Sequence, residues 1–347
     1  MLDIVNRSVN RSRQRMGPLA FLPEVLEQFG VPLSAVLDGL PISPGDFRPE
    51  TFLPLRLLSD VLDRSAVLTG CAELGVLLGE RHNHRVFGPL GQVMAACDTL
   101  GAALATFTAF QMANSTAAAA YLHCLGDEYA LGYGIYDPEL GSSLVYDISV
   151  SVGCRMLHDL TGGAVTPVEV LLSRSMPADG KRFRQHFRCP VRFDQPQSCV
   201  ILTSHDMAYP LPLADPARRE NLLRQVQQHM AAAQVPVASR VAHALRPHLL
   251  LGTGSLPQIA AHLGVAPRTL VRHLNEENTS FSALTDKVRF AVSRELLGFT
   301  ALSASDIATT LGYATPSAFV RAFRRWAGQS PTAWREAARN GKAREFV

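Results

Sequence analysis

A repeated pattern of two short helices restricts what this chain can fold into more than any other feature of its sequence. The string IAAHLG at 259–264 returns as IATTLG at 307–312, an offset of 48 residues. Beyond the glycine the offset becomes 49, so that Leu270 corresponds to Phe319 and Leu274 to Phe323. In each copy an apolar helix ends at glycine, which readily adopts the left-handed conformation of a helix end, and an amphipathic helix follows. The sequence therefore predicts two helix-turn-helix units, at about 256–276 and about 304–327.

The second copy carries stronger helix signals than the first. Ser303 and Asp306 have the spacing of a capping box, and Thr315 followed by Pro316 is typical of a helix start. In the first copy Ala266 stands where a capping side chain is expected. One buried stripe is predicted from the apolar residues that recur at helical spacing in the second copy, Phe319, Ala322, Phe323 and Trp326.

Residues 281–299, between the two units, are predicted to form one long helix. Nineteen helical residues span about 28 Å, whereas successive major grooves on one face of B-DNA lie about 34 Å apart. A helix of this length can hold both units near adjacent major grooves if the DNA bends slightly. Its inward-facing residues are predicted to be Leu284, Val288, Ala291, Val292 and Leu296.

Arginines lie on the polar side of both second helices. Residues 236–347 carry 14 Lys and Arg against 7 Asp and Glu, whereas residues 1–235 carry 19 against 23. Arginine donates to guanine edges and to phosphates, so this basic end predicts binding to double-stranded DNA. Arg321 lies near its helix start, where base contacts are expected, and Arg324 and Arg325 are better placed for phosphates.

A family resemblance covers about 239–335 and is strongest in the string SDIATTLGYATPSAFVRAFRRWAGQSPTAWR at 305–335. This string resembles the signature of the AraC/XylS family of bacterial transcription regulators: Asp-Ile-Ala, Gly-aromatic, Ser-x-Phe-x-Arg-x-Phe and Gly-x-Ser-Pro follow in order. Trp334 stands where tyrosine is commoner. The resemblance implies a DNA-binding activator or repressor of a metabolic or stress operon, acting with RNA polymerase.

By the same resemblance, DNA contacts map onto both recognition helices. Pro316 and Val320 have no side-chain hydrogen bond to offer, so contact there is expected to be apolar, as with a thymine methyl group. The base contacts that the resemblance implies are Arg268, Val271 and Arg272 in the first unit and Pro316, Ser317, Val320 and Arg321 in the second. Thr269, Arg324 and Arg325 complete the predicted set of DNA-binding residues.

The order of helix-like and strand-like segments in residues 1–235 predicts an α+β domain that combines helices with a small mixed sheet. Residues 236–347 are predicted to form an all-α domain. A loose basic arm (1–15) precedes short helices, for which Gly30, Gly39 and Gly70 are predicted C-terminal caps. The N-terminal part resembles the arabinose-binding-like effector domain of one AraC-type branch, which implies a small-molecule effector and a homodimer. Strands are predicted at 116–124, 129–137, 166–174, 189–194 and 198–203, with helices at 99–113 and 144–160.

The sequence singles out few residues that could bind an effector. Arg155 and His158, three residues apart on one predicted helix, could hold an anionic ligand, or Arg155 could form a salt bridge with Asp147 or Asp159. A helical stretch containing Leu222, Val226 and Met230 could form a dimer, link the domains or belong to the core. No effector-binding residue is therefore predicted.

Enzyme and cofactor motifs are not found in the sequence. It contains no GxSxG, HExxH, P-loop or GxGxxG motif and no CxxC pair, so no catalytic residue, metal or cofactor is predicted. Its six cysteines favour a reduced compartment, and no signal peptide or membrane span is recognised, so a cytoplasmic location is expected. Two alternatives stay open: a regulator controlled by a partner or by its abundance, without a ligand, and an enzyme fused to a DNA-binding module.

Overall fold

The computed structural model describes residues 13–111, 115, 118–135, 142–177, 180–232, 236–250 and 252–339. Near the N-terminus, β1 (Arg13–Arg15) pairs antiparallel with β2 (Phe52–Pro54). Arg13 Nη2 donates to the Phe52 carbonyl oxygen at 2.7 Å, and the Met16 N–H donates to Thr51 O, also at 2.7 Å. The prediction of a loose arm over 1–15 is therefore wrong at 13–15. Backbone pairing with β2 holds these three residues in place, and their polar side chains show no pattern that would reveal a strand. The rest of the predicted arm lies outside the described residues.

Helices build most of the N-terminal domain before the main sheet. In the longest of them, Leu58, Val61 and Leu62 are buried on one face, and Gly70 ends the helix with φ 62°, as predicted. The helices are α1 (Leu22–Glu27), α2 (Leu33–Leu37), α3 (Leu55–Thr69), α4 (Leu74–Glu80), α5 (Pro89–Ala95) and α6 (Leu100–Phe110), with 3₁₀ turns at Gly17–Phe21, Pro44–Asp46 and His84–Phe87.

The second part of this domain contains the predicted mixed sheet. Along the chain its elements are β3 (Ala118–Leu125), β4 (Glu128–Ile135), α7 (Ser143–Thr161), β5 (Glu169–Leu171), α8 (Lys181–Phe187), β6 (Val191–Arg192), β7 (Ser198–Thr203), α9 (Ser204–Met207) and α10 (Pro216–Ala232). The strand order is β3-β4-β7-β5-β6, and β5 and β6 are parallel while the other pairs are antiparallel. The predicted α+β class is thus confirmed.

α7 lies against the sheet on one side and against α4 on the other. Leu131 of β4 and Val200 of β7 pack with Val150, Met156 and Leu157 of α7 in one buried cluster. Glycines in α4 allow the two helices to approach closely, since a Cβ atom at position 79 would lie 2.4 Å from the Cβ atom of Ser151. α7 is therefore the central element of the N-terminal core.

The C-terminal domain is helical throughout its described part, as predicted. Its elements are α11 (Val237–Leu250), α12 (Leu256–His262), α13 (Pro267–Glu276), α14 (Phe281–Phe299), α15 (Ala304–Thr310), α16 (Pro316–Ala327) and α17 (Pro331–Arg339). α14 has the bounds predicted for the long helix, and its five predicted inward residues are buried.

Aromatic side chains fill the core between α14, α16 and α17. Phe319 and Phe323 of α16 are fully buried, with ring centroids 5.8 Å apart. Trp334 of α17 packs 6.0 Å from Phe323 and is also buried. Trp326, predicted to share this stripe, is only partly buried and packs 5.7 Å from Phe290. The apolar face of α16 is thus used for docking, which leaves its opposite face at the surface.

Candidate functional site

The first helix-turn-helix unit consists of α12 and α13. A capping box starts α12, because Ser255 N–H donates to Gln258 Oε1 at 3.2 Å, and Gly264 forms the turn with φ 68°. α13 starts at Pro267 after Ala266, which makes no side-chain cap, as the sequence predicts. The buried Leu270 and Leu274 hold α13 in the core.

The outer face of α13 carries the first set of predicted DNA contacts. Arg268, Val271 and Arg272 are exposed, and Thr269 is half-buried. Arg272 Nε lies 3.7 Å from a carboxylate oxygen of Glu276, an exposed i,i+4 pair that contributes at most a few tenths of a kcal/mol. The four residues therefore share one helix, with three of them open to solvent.

The second unit, α15 and α16, has the helix signals read from the sequence. Ser303 and Asp306 form the capping box, with Ser303 Oγ donating to Asp306 Oδ2 at 2.6 Å. Thr315 Oγ1 accepts from the Ala318 N–H at 3.2 Å, and Pro316 is the first helical residue. These contacts fix where α16 begins and therefore which side chains point outward.

Most predicted contacts of α16 are exposed, but two differ from the rest. Pro316, Ser317, Arg321 and Arg324 are exposed, as is Arg325. Val320 is partly buried and packs against the core of its own domain. Arg325 Nη2 donates to Asp286 Oδ2 of α14 at 2.9 Å, so its charge is partly neutralised within the protein.

A buried ion pair within the helical domain is hydrogen-bonded to the sheet domain. Arg246 Nη2 of α11 donates to both carboxylate oxygens of Glu295 of α14, at 2.7 and 2.9 Å. The two side chains are 0% and 3% exposed. Glu295 also accepts from Tyr146 Oη of α7 at 2.5 Å and from Ser173 Oγ at 3.4 Å. The long helix between the two helix-turn-helix units is therefore fixed to the sheet domain through one carboxylate.

Burial perturbs the protonation of this network. It raises the pKa of Glu295, and the neighbouring Arg246 opposes that increase. Burial lowers the pKa of Arg246, but Glu295 and two tyrosines outweigh it, so that the pKa lies above its ordinary value. Because Arg246 contacts both carboxylate oxygens, the pair is best described as ionised, and each charge depends on the other.

β4 lies between this ion pair and the interior of the N-terminal domain. Arg246 Nη1 donates to the Ile135 carbonyl oxygen at 2.8 Å. A Cβ atom at Gly134 would lie 1.6 Å from Arg246 Nε, so a glycine is needed here. Tyr133, the preceding residue, points to the opposite side of the strand and lines an internal cavity. One strand thus contacts both the cavity and the helical domain.

The internal cavity, of about 100 Å³, lies between α7 and the sheet. Leu58 of α3, Leu131 of β4 and Val152 and Met156 of α7 contribute to its apolar wall, and β1 contributes Gln14. No sequence pattern predicts this cavity, because its lining residues come from many separate elements and each follows an ordinary core pattern. It is the candidate effector site.

Four histidines meet where β3 approaches α11 and α12. The ring centroid of His248 lies 6.1 Å from that of His123 and 5.0 Å from that of His262. Burial lowers the pKa of all four, to about 4 for His123 and His243, and neighbouring histidines add to the effect for all except His262. The cluster is therefore held in the neutral form at the boundary between the two domains.

Protonation of these histidines is expected to destabilise the folded chain. Because the folded-state pKa is lowered, the unfolded chain binds more protons between pH 6.5 and about 4, and the free energy of unfolding decreases as pH falls through this window. Urea midpoints against pH measure this, and His123→Phe together with His243→Phe should flatten the decrease. The exposed His205→Phe serves as the control, and equal curves for all variants would contradict the assignment.

Arg155 and His158, the two residues considered from the sequence as possible contacts for an anionic ligand, line a cleft of about 470 Å³. Arg155 pairs with Asp159 at 3.3 Å, one of the alternatives the sequence left open. Asp147 instead pairs with Arg174 at 2.5 Å. Arg155 is therefore engaged in the salt bridge that was the alternative to ligand binding.

Three residues beside this cleft form a constellation that motif analysis missed. Ser151 Oγ lies 2.8 Å from His186 Nε2, and His186 Nδ1 lies 2.5 Å from Glu80 Oε1. The members lie on three helices that are far apart in the sequence, α4, α7 and α8, so no short motif could reveal them. Ser151 is fully buried and its hydroxyl also bonds to Val76 O, so in this structure the set joins helices and presents no exposed nucleophile.

Sequence reasoning missed Arg246, Glu295 and Tyr146 as functional residues. No local signal identified them, because a charged residue next to an apolar one is ordinary in an amphipathic helix and the partners lie far apart in the sequence. Within the described parts of the chain, no three metal-ligating side chains come close enough to hold a metal ion, and no helix is both long and apolar enough to cross a membrane.

Comparisons with known proteins add to this geometry. Residues 30–211 match the family described as the arabinose-binding domain of AraC transcription regulator, and residues 259–337 match a helix-turn-helix domain. The ornithine utilization regulator of Pseudomonas aeruginosa is 28% identical over 335 residues, covering 92% of this chain and 96% of that protein. The regulator VirS of Mycobacterium tuberculosis is 26% identical over 318 residues, covering 90% and 93%. The crystal structure of CdpR from Pseudomonas aeruginosa is similar with a TM-score of 0.42 and 23% identity, over 88% of this chain and 96% of that one.

Proposed function

The chain belongs to the AraC family of DNA-binding transcription regulators, and from this premise we propose that it contacts DNA with both recognition helices and responds to a small-molecule effector. The observation that carries the proposal is the arginine face of each helix. Among the described residues, Arg268, Arg321 and Arg324 are exposed and no carboxylate forms an ion pair with them.

Each recognition helix supplies its own set of contacts. In α13 we assign Arg268, Val271 and Arg272 to base edges, with Thr269 beside them. In α16 Ser317 and Arg321 lie in the first half, where a helix enters the major groove, and Pro316 and Val320 offer apolar contact. Arg324 and Arg325 are assigned to phosphates, with Arg325 the weaker because it pairs with Asp286.

The effector is proposed to bind within the N-terminal domain. The family description names arabinose, a small molecule, and the cavity beneath α7 is a largely apolar space in that domain. α7 lines this cavity and also carries Tyr146, which donates to Glu295 of the helical domain. Occupation of the cavity would then shift the balance between docked and released arrangements of the two domains.

Several further features are proposed from the family. Residues 1–235 serve effector binding and dimerisation, and residues 236–347 bind DNA. Two subunits engage paired half-sites and act on RNA polymerase in the cytoplasm. Val226 of α10 is buried within this chain, which favours a core role for that residue over a dimer contact.

Two substitutions in α16 test the DNA contacts. Arg321→Ala should weaken binding to a preferred site by about 1–3 kcal/mol and relax base preference at one position. Arg324→Ala should weaken binding to all sequences and reduce the salt slope by about 1. Fluorescence anisotropy at several salt concentrations measures both. Arg218→Ala, exposed on α10, is the matched control, and unchanged affinity for both α16 variants would refute the assignment.

A separate measurement distinguishes a ligand-responsive regulator from a regulator that has no effector. If DNA affinity is unchanged by any compound that raises the melting temperature of the full chain, the ligand-responsive part of the proposal fails while the DNA contacts stand.

A further inference from the structure

Two histidines of the helical domain face each other through their ring nitrogens. His248 Nε2 of α11 lies 3.4 Å from His262 Nδ1 of α12, and the ring centroids are 5.0 Å apart. Hydrogen bonds from an N–H group usually have donor–acceptor distances of about 2.7–3.2 Å, so this separation is long for a hydrogen bond. It does fit metal binding, because two nitrogens at about 2.0–2.1 Å from one tetrahedral zinc ion lie about 3.3–3.4 Å apart.

A hydroxyl group determines which nitrogen of His248 carries the hydrogen. Thr253 Oγ1 donates to the His248 carbonyl oxygen at 3.3 Å and lies 2.9 Å from His248 Nδ1. Because the single hydrogen of this hydroxyl goes to the carbonyl, Thr253 accepts from Nδ1–H, and the lone pair of the neutral ring is on Nε2. Metal-binding histidines are commonly held in this way, with the second ring nitrogen donating to an oxygen atom. His248 therefore presents an unprotonated nitrogen to His262.

An ion can reach this pair from solvent. His262 is exposed and His248 is half-buried. At neutral pH an imidazole is mostly uncharged and has a lone pair for a metal. Imidazole nitrogens suit late first-row divalent ions such as Zn²⁺, Ni²⁺ and Cu²⁺, whereas Mg²⁺ and Ca²⁺ prefer oxygen ligands. The pair is therefore selective for a transition metal.

A third imidazole lies nearby on the sheet domain. The ring centroid of His123 of β3 is 6.1 Å from that of His248, and its Nε2 is buried with no hydrogen-bond partner. In the part of the chain that the structure describes, no three ligating groups converge as the side chains stand, so only the pair is preformed. Rotation of the His123 ring toward the ion would add a third ligand and satisfy this buried nitrogen.

We propose that His248 Nε2 and His262 Nδ1 bind one divalent transition-metal ion, Zn²⁺ in particular, that His123 turns to become the third ligand, and that water completes the tetrahedral shell. This inference goes beyond the proposed function and does not depend on it. His262 belongs to the first helix-turn-helix unit and His123 to the sheet domain. A bound ion therefore ties the sheet domain to the first helix-turn-helix unit.

The test titrates ZnCl2 by calorimetry into the tag-free full chain after metal has been removed with a chelator. All proteins carry Cys124→Ser, so that this exposed thiol does not bind zinc. We expect one ion per chain with a micromolar Kd, and no binding of MgCl2. His248→Gln, His262→Gln and His123→Gln should each weaken zinc binding. His205→Gln is the matched control, because His205 is exposed on α9 and lies outside the cluster.

A substitution that keeps every imidazole distinguishes metal binding from a structural role of the histidines. Thr253→Val removes the oxygen that accepts from His248 Nδ1. It should weaken zinc binding roughly 10- to 100-fold, the usual cost of losing such a partner, and His248→Gln and His262→Gln should cost more than this. Urea denaturation of each metal-free variant shows whether it folds as the parent does.

The outcomes decide between binding at this site and binding elsewhere. Binding of one ion per chain that is lost in His262→Gln and kept in His205→Gln supports the site. Equal zinc affinity in the parent, His248→Gln and His262→Gln would overturn it, as would a Kd above about 1 mM for the parent. Unchanged affinity in His123→Gln would overturn the tie between the domains. The DNA contacts are tested separately and stand or fall without this site.

Discussion

Replacing Glu295 with alanine is expected to lower the free energy of unfolding by about 3–5 kcal/mol, because it leaves Arg246 buried and uncompensated. Arg246 is fully buried, and Glu295 accepts two of its hydrogen bonds. The same substitution removes the acceptor of Tyr146 Oη in the sheet domain. Urea denaturation of the full chain measures the loss, and a second transition would show that the domains had separated.

The control for this prediction removes both charges together. The double variant Arg246→Met/Glu295→Leu should lose less stability than Glu295→Ala, because it leaves no buried charge unpaired and its remaining loss comes from Tyr146 Oη and the Ile135 carbonyl oxygen, which lose their partners. Its DNA affinity should no longer respond to an effector, because the contact from Tyr146 to α14 is lost. A loss below about 1 kcal/mol for Glu295→Ala would mean that Glu295 does not compensate the buried charge of Arg246 as described.

Substituting alanine for Gly134 is expected to cost about 3 kcal/mol or more, although it adds a single methyl group. The new Cβ atom would lie 1.6 Å from Arg246 Nε and 2.2 Å from its Cδ. These atoms cannot swing aside, because the guanidinium is held by Glu295 and by the Ile135 carbonyl oxygen. Arg246 must therefore leave its position, which breaks the buried pair.

Gly153→Ala is the matched control for that substitution. Its Cβ atom has room, with the nearest side-chain atoms at 3.7 and 3.9 Å. Because alanine is the better helix former, α7 should gain up to about 1 kcal/mol. Thermal denaturation of both variants gives the comparison, and equal melting temperatures would contradict the close contact between β4 and α11.

The helical domain was largely predictable from the sequence because its signals are local. Ser303 with Asp306 and Thr315 with Pro316 mark helix starts within a few residues, and the spacing of Phe319 and Phe323 marks the buried face. The strands at 118–125 and 128–135 were predictable for the same reason, since a tight turn joins two apolar runs.

The contacts that join the domains were not predictable, because they depend on residues far apart in sequence. Tyr146 and Glu295 are separated by 149 positions, and Ser151 and Glu80 meet through His186 of a third helix. Strand β1 was missed because three polar residues carry no periodicity and are held by backbone pairing with β2. Which residues contact DNA stays a prediction for all ten assigned positions.

Hydroxyl-radical footprinting of the full chain on a DNA site selected from random sequence tests the central claim most directly. If both recognition helices enter major grooves, one subunit should protect two segments about one helical turn apart. Arg272→Ala should weaken protection of one segment and Arg321→Ala that of the other. A single protected segment, or two segments that neither substitution affects, would contradict the claim that both helices bind DNA.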